Sequence, residues 1–180
     1  MRYLMMAVAL SAGSVQAAEV DVLTAEARQQ TQALGQSLMK TLKQGIKSSG
    51  PVEAIGLCNV QAPAIASQLS QGGWQVGRTA LKIRNPGNAP DEWETETLKS
   101  FDARIKAGES PQMMEATLLS DNEFRYMKAI PTKPLCVTCH GAELTEPVKA
   151  RLSELYPDDA ATGFNVGELR GAFTLTKTLQ

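Results

Sequence analysis

The sequence predicts an α+β fold in which one antiparallel β-sheet is flanked by helices and preceded by a long helical segment. Residues 19–71 carry apolar side chains at helical spacing, whereas residues 78–84 and several segments after residue 114 alternate apolar and polar residues. One amphipathic helix separates these two strand regions. Helices, a strand, a helix and then closely spaced strands are the order expected of an α+β domain.

The N-terminal half reads as helical with two interruptions. Leu34, Leu38 and Leu42 recur every four residues. Gly50-Pro51 restarts the helix, because proline suits the first helical position. A second apolar stripe follows at spacings of three and four residues, formed by Ile55, Cys58, Ala62, Ile65 and Leu69. Pro63 interrupts this stripe, so we expect a kink or two short helices there.

The second half alternates between strands, turns and short helices. In residues 78–84 the odd positions are largely apolar and the even positions are largely basic, which predicts a strand with one buried face. Residues 85–90 form a dense turn cluster, and a helix then begins at Asp91 and Glu92 and ends near Gly108. Two strands flank the turn at residues 120–122.

The C-terminal part predicts one more helix and one more strand. The helix lies around residues 147–155. The strand is expected to carry Leu169, Phe173, Leu175 and Leu179 on one face.

The motif Cys136-Val137-Thr138-Cys139-His140 contains the only histidine of the chain. C-x-x-C-H is the attachment signature of a c-type haem, in which two thiols bind the porphyrin and the histidine binds the iron. The sequence therefore predicts one covalent haem c, with Cys136 and Cys139 as thioether attachments and His140 as the proximal iron ligand. Because no second histidine exists, the sixth ligand has to be Met, Cys, Lys, a small molecule or nothing.

Two other interpretations of these cysteines remain open. Cys58, Cys136, Cys139 and His140 could form a Cys3His zinc site, although adjacent Cys139 and His140 would strain it. A redox dithiol is the second alternative, but this usually occurs in a βαβ context that the pattern does not contain.

The N-terminus predicts a signal peptide. Arg2 provides a positive charge, residues 3–12 are mostly apolar, and Val15-Gln16-Ala17 is a small-x-small cleavage site. We expect removal of residues 1–17, which leaves residues 18–180 as a single domain in a bacterial periplasm. The apolar run is too short to span a bilayer, and no other segment is apolar enough to do so, so no membrane span is expected after cleavage.

The charge balance argues against nucleic acid or an anionic membrane as a partner. The chain has 18 basic and 19 acidic residues. Removing residues 1–17 takes only Arg2 from that balance. The predicted partners are therefore a redox protein of unknown identity and small molecules.

The sixth iron ligand has several candidates in the sequence. Cys58 is the only cysteine outside the haem motif, and it lies on an apolar helical stripe. A free cysteine also occurs as a small buried hydrophobic residue. The methionines compete for the same role, namely Met39, Met113, Met114 and Met127.

Basic residues on the strand at residues 78–84 could pair with the haem propionates. Arg84 is the candidate, with Arg78 and Lys82 on the same face. The alternative is a strand face that is simply solvated.

Several of these segments together resemble a known family. They are Cys58 on an early helix, the Arg-Asn-Pro segment at residues 78–90, the motif at residues 136–141 and the C-terminal segments at residues 156–163 and 167–171. The chain resembles bacterial and cyanobacterial exported c-type monohaem domains with a PAS-like fold. This resemblance implies axial ligation by histidine and cysteine, which places His140 as the proximal and Cys58 as the distal ligand. It further implies redox sensing, gas sensing or electron transfer.

Two function classes remain, and a catalytic role is not expected. The first is a low-potential redox protein, because a thiolate ligand favours ferric iron. The second is a sensor module whose reduced haem binds CO, NO or a similar ligand. We expect no enzyme, because filled axial positions leave no site for a substrate. By analogy with PAS-like domains, residues 19–48 could pair two copies of the chain.

Overall fold

The described residues form a four-stranded antiparallel sheet with helices on both faces. The computed structural model describes residues 12–179. Its elements are α1 (Ala12–Leu69), β1 (Trp74–Thr79), α2 (Glu92–Lys106), β2 (Glu115–Leu119), β3 (Glu123–Pro131), α3 (Val137–His140), α4 (Glu146–Leu155) and β4 (Leu169–Thr178). The predicted α+β class with one antiparallel sheet is confirmed, and so is the long N-terminal helix. Residues 1–11 of the predicted signal peptide lie outside the described residues.

Helix α1 consists of two helical segments that meet at Gly50. Gly50 has φ 81° and ψ 174°, the only non-helical dihedral angles inside α1. Only glycine adopts this region at low cost, so the predicted restart at Gly50-Pro51 is confirmed. The expected division into two short helices at Pro63 is wrong. Proline's fixed φ is compatible with a helix, and the cost is one missing N–H hydrogen bond rather than a break.

The sheet has the strand order β1-β4-β3-β2, and each neighbouring pair is antiparallel. Helix α1 packs on one face, where Leu23, Ala27 and Leu34 meet side chains of β1, β3 and β4. Helix α2 covers the other face, where Leu98 and Phe101 pack against β3 and β4. The two faces of the sheet therefore belong to two separate hydrophobic cores.

A third, smaller core joins α1 to α4. Ile55 of α1 packs with Val148 and Leu152 of α4, and Cys139 contacts this group. Because Cys139 lies in α3, this core holds the short motif helix against the second segment of α1.

The strand predicted at residues 78–84 is only partly correct. Strand β1 begins earlier, at Trp74, and ends at Thr79, which pairs with Ala172. The following segment leaves the sheet and the carbonyl of Ile83 instead accepts a hydrogen bond from the Ala160 N–H. The expected buried face also fails at Leu81, which is 46% exposed, whereas Thr79 is buried. The alternation of apolar and basic residues in this segment therefore belongs largely to a loop, although it is typical of a strand.

Strand β4 does not carry all four predicted residues on one face, because its first residue, Leu169, lies on the opposite face. Phe173, Leu175 and Leu179 pack on the α1 side, whereas Leu169 packs with the α2 core. Ile130 pairs with Gly171 and Pro131 pairs with Leu169, so Arg170 is an extra residue in β4. Such a bulge reverses the alternation and redirects the side chain next to it.

No helix within residues 12–179 is both long enough and apolar enough to cross a membrane.

Replacement of Gly50 by alanine is expected to lower the free energy of unfolding by about 1–3 kcal/mol. A Cβ at this position would meet no atom within 4 Å, so the cost is backbone strain alone. Urea unfolding of Gly50→Ala and of the neighbouring control Ser49→Ala measures it. Ser49 is exposed, and its variant should stay within about 0.5 kcal/mol of wild type. Equal stabilities of the two variants would contradict the strain argument.

Candidate cofactor-binding site

A cavity of about 490 Å³ lies between α1, the sheet and the haem motif. This volume falls in the range of pockets that bind small molecules and cofactors, about 300–1,000 Å³. Most of the wall is apolar, and α1 contributes the largest share, including Leu34, Leu38, Leu42, Ile46 and Ile55. The chemically reactive wall residues are Cys58, Arg78, Arg84, Cys136, Cys139, His140, Tyr156 and Arg170. The cavity therefore brings together the three cysteines, the histidine and Arg84, which the sequence analysis selected as haem-binding candidates.

The motif forms a single helical turn whose cysteines and histidine face this cavity. Cys136 precedes α3, and its carbonyl accepts the His140 N–H at 2.9 Å. The Gly141 N–H donates to the Val137 carbonyl at 3.0 Å. A Cβ on Gly141 would lie 2.5 Å from that carbonyl, so the turn requires glycine directly after the histidine.

The imidazole of His140 is oriented by a backbone carbonyl. Its Nδ1 lies 2.7 Å from the Ala161 oxygen, which can only accept a hydrogen bond. Nδ1 therefore carries the proton, and Nε2 keeps a lone pair for a metal. Burial, with neighbouring Arg170 and Arg84, lowers the pKa of His140 to about 2. The ring is thus neutral at physiological pH, which is the state that binds iron.

The three cysteines form no disulfide bond with one another. Burial raises the pKa of Cys58 and of Cys139, while nearby arginines partly oppose the increase. Cys58 belongs to the second segment of α1, so it approaches the cavity from a different element than the motif does.

The four methionines that the sequence offered as candidates for the sixth iron ligand lie in different surroundings. Met39 lines the cavity. Met114 and Met127 are fully buried in the α2 core, and Met113 is 83% exposed. Met39 is therefore the one methionine of these four that shares the cavity with Cys58.

The described residues contain no group of three or more His, Cys, Asp or Glu side chains arranged to hold a metal ion. Cys58, Cys136, Cys139 and His140 all line the cavity, but they do not form such a group, which a zinc site requires. The structure thus gives no support to the Cys3His alternative.

Arg84 connects the motif to the loop that orients His140. Its guanidinium donates to the Cys139 carbonyl at 2.6 Å and to the Ala161 carbonyl at 3.3 Å. It also forms an ion pair with Asp159 at 2.9 Å, and these two side chains are only 12% and 8% exposed. The hydrogen-bonding capacity of Arg84 is therefore largely used by the protein itself.

The other two basic residues of that segment differ from each other. Arg78 lines the cavity, whereas Lys82 is exposed, donates to the Thr162 carbonyl at 3.0 Å and lies 5.0 Å from the centre of the Phe164 ring. A uniformly solvated strand face, the alternative interpretation, does not describe Arg78 and Arg84.

Sequence reasoning did not assign roles to Asp159, Ala161, Tyr156 or Arg170. Arg170 lies at the β4 bulge and lines the cavity. Asp159 and Ala161 act through a hydrogen bond and a backbone carbonyl in a loop. No periodic pattern marks such residues, and the resemblance of residues 156–163 and 167–171 to the haem family was the only available signal.

The donor set and the cavity fit a covalently attached haem. Two thiols three residues apart, a neutral imidazole with a free Nε2 and a mostly apolar cavity are what such a group needs. The cavity also carries guanidinium groups, which suit the carboxylates at one edge of a porphyrin.

Replacement of Arg84 by glutamine is expected to lower the free energy of unfolding by about 3–5 kcal/mol, because it leaves Asp159 buried without its cation. Urea unfolding of Arg84→Gln, Asp159→Asn and the double variant measures the coupling. The double variant should lose less stability than the sum of the two single changes. As a control, Arg104→Gln removes an exposed pair with Glu109 and should cost less than about 1 kcal/mol. Additive losses would show that the pair is not coupled.

Comparison with known proteins assigns the chain to a family. The crystal structure of the cyanobacterial haem protein Tll0287 is similar to this chain, with a TM-score of 0.64 and 26% sequence identity. The alignment covers 90% of this chain and 96% of that one. No curated protein matches the chain. The profile of the Tll0287-like family matches residues 14–177. The chain therefore belongs to the Tll0287-like family.

Proposed function

We propose that the chain is a periplasmic c-type monohaem protein with a PAS-like domain that acts in redox sensing or electron transfer. The observation that carries the proposal is the cavity into which Cys136, Cys139, His140 and Cys58 all project from two separate parts of the chain. Similarity to a haem protein over nearly the whole chain supports the same ligand.

In this proposal, each residue has a separate task. Cys136 and Cys139 attach one haem c, and His140 binds its iron through Nε2. The Ala161 carbonyl holds the imidazole in the required tautomer. Cys58 is the distal ligand, since it lines the cavity and three of the four competing methionines do not. The haem would supply an iron that accepts and releases one electron.

The identity of the distal ligand decides the redox behaviour. A cysteine thiolate donates charge and favours ferric iron, whereas methionine raises the potential. Filled axial positions leave no substrate site, so the proposal includes no enzymatic activity. An electron-transfer role requires a redox partner protein.

A sensor of CO, NO or a similar ligand is the second candidate function. Burial raises the pKa of the Cys58 thiol, so its sulfur gains a proton readily when it is not bound to a cation. Loss of the thiolate on reduction would open one coordination position. A redox dithiol formed by Cys136 and Cys139 is a more distant alternative.

Visible spectra of the exported protein, oxidised and reduced, test the proposal. Wild type is expected to show a c-type spectrum, low-spin with thiolate character when ferric, and a change of coordination on reduction. Cys58→Met should give a His/Met-type spectrum and raise the midpoint potential by on the order of 100 mV. The control Met39→Leu should change neither.

Three outcomes would redirect the assignment. A spectrum that depends on Met39 and not on Cys58 would make Met39 the distal ligand and favour plain electron transfer. A reduced protein that stays six-coordinate and does not bind CO would exclude the sensor function. Absence of haem bands would return zinc or a dithiol to consideration.

A further inference from the structure

The cavity contains two guanidinium groups that have no carboxylate partner among residues 12–179. Seven arginines lie within residues 12–179. Five of them form ion pairs with Asp or Glu, namely Arg28, Arg84, Arg104, Arg125 and Arg151. Within this part of the chain, Arg78 and Arg170 form none, and both line the cavity.

The protein positions these two side chains at the cavity wall. Arg78 lies on β1, opposite Phe173 of β4. Arg170 is the extra residue of the β4 bulge, and it donates to the Lys82 carbonyl at 3.2 Å. Its guanidinium also lies 5.2 Å from the centre of the Phe164 ring. Bulges commonly redirect a side chain towards a functional site.

The excess positive charge in the cavity favours binding of an anion. Burial, together with Arg84 and Arg78, lowers the pKa of Arg170 to about 10. Burial also lowers the pKa of Arg78. Asp159 is already paired with Arg84, so the described residues leave an excess of positive charge there. Desolvated cations are costly unless an opposite charge pairs with them.

We propose that Arg78 and Arg170 bind the two carboxylates of an amphipathic dicarboxylate ligand, which are the propionates of the proposed haem. This inference rests on the proposed function. Arginine pairs with carboxylates through two parallel hydrogen bonds, which gives both affinity and orientation. Arg84 is then a positioning residue for the motif, and Lys82 does not take part.

Non-covalent binding of ferric haem and of its dimethyl ester tests the inference. The full mature chain with Cys136→Ala and Cys139→Ala removes the covalent attachment and keeps both arginines. The ester lacks both negative charges but retains the iron and the apolar ring, so contributions of His140 and Cys58 cancel in the comparison. Titration should give about tenfold weaker binding or more for each carboxylate that is lost.

The decisive step repeats the comparison of haem with its dimethyl ester in a protein that also carries Arg78→Gln and Arg170→Gln. The difference between haem and ester should disappear in that variant, whereas the control Arg104→Gln should retain it. If the parent binds haem and ester equally, the inference fails and the proposed haem function stands. If neither ligand binds and the exported wild type carries no haem, the proposed function fails as well.

A second readout uses the covalently loaded protein, in case the cysteine variant does not fold. The resonance Raman band of propionate bending reports hydrogen bonding to the carboxylates. It should shift in Arg78→Gln/Arg170→Gln, return towards wild type in Arg78→Lys/Arg170→Lys and stay unchanged in Arg104→Gln. An unshifted band in the glutamine variant would overturn the inference.

Discussion

The buried contact between Arg84 and the loop after α4 organises the whole site. One guanidinium group joins the carboxylate of Asp159 with the carbonyls of Cys139 and Ala161. The Ala161 carbonyl in turn sets the tautomer of His140. A single cation therefore links the C-x-x-C-H motif, the orientation of the His140 imidazole and a loop that lies about twenty residues further along the chain. Since these groups are nearly excluded from water, none of them can be satisfied separately.

The cavity is suited to a ligand that has both an apolar body and negatively charged groups. The wall is mainly apolar, the imidazole of His140 is neutral, and Arg78 and Arg170 lack carboxylate partners within the described part of the chain. Such a cavity favours a flat apolar body that carries negative charges at one edge. The proposed haem and the proposed pairing of its carboxylates with Arg78 and Arg170 thus depend on one physical property, which is that a mostly apolar cavity also contains guanidinium groups.

Local patterns predicted most elements, and the errors have identifiable causes. The capping box of Asp91 and Glu94 confirms the start of α2, and the glycine-proline pair correctly located the interruption of α1. The strand at residues 78–84 was misplaced because its alternation belongs to a loop. Leu169 was assigned to the wrong face because the bulge at Arg170 depends on pairing with β3, which the sequence of β4 alone does not contain.

The sequence by itself determined the chemistry that is available to this protein. The chain has one histidine, two cysteines at the spacing of Cys136 and Cys139, and one further cysteine at residue 58. These few residues limit how the proposed haem could be attached and which side chains could bind its iron. The tertiary structure decided which of these groups share a cavity, because that depends on the packing of α1 against the sheet and of α4 against α1. It also decided which arginines form ion pairs and which line the cavity. Burial and ion pairing depend on contacts between residues more than seventy positions apart.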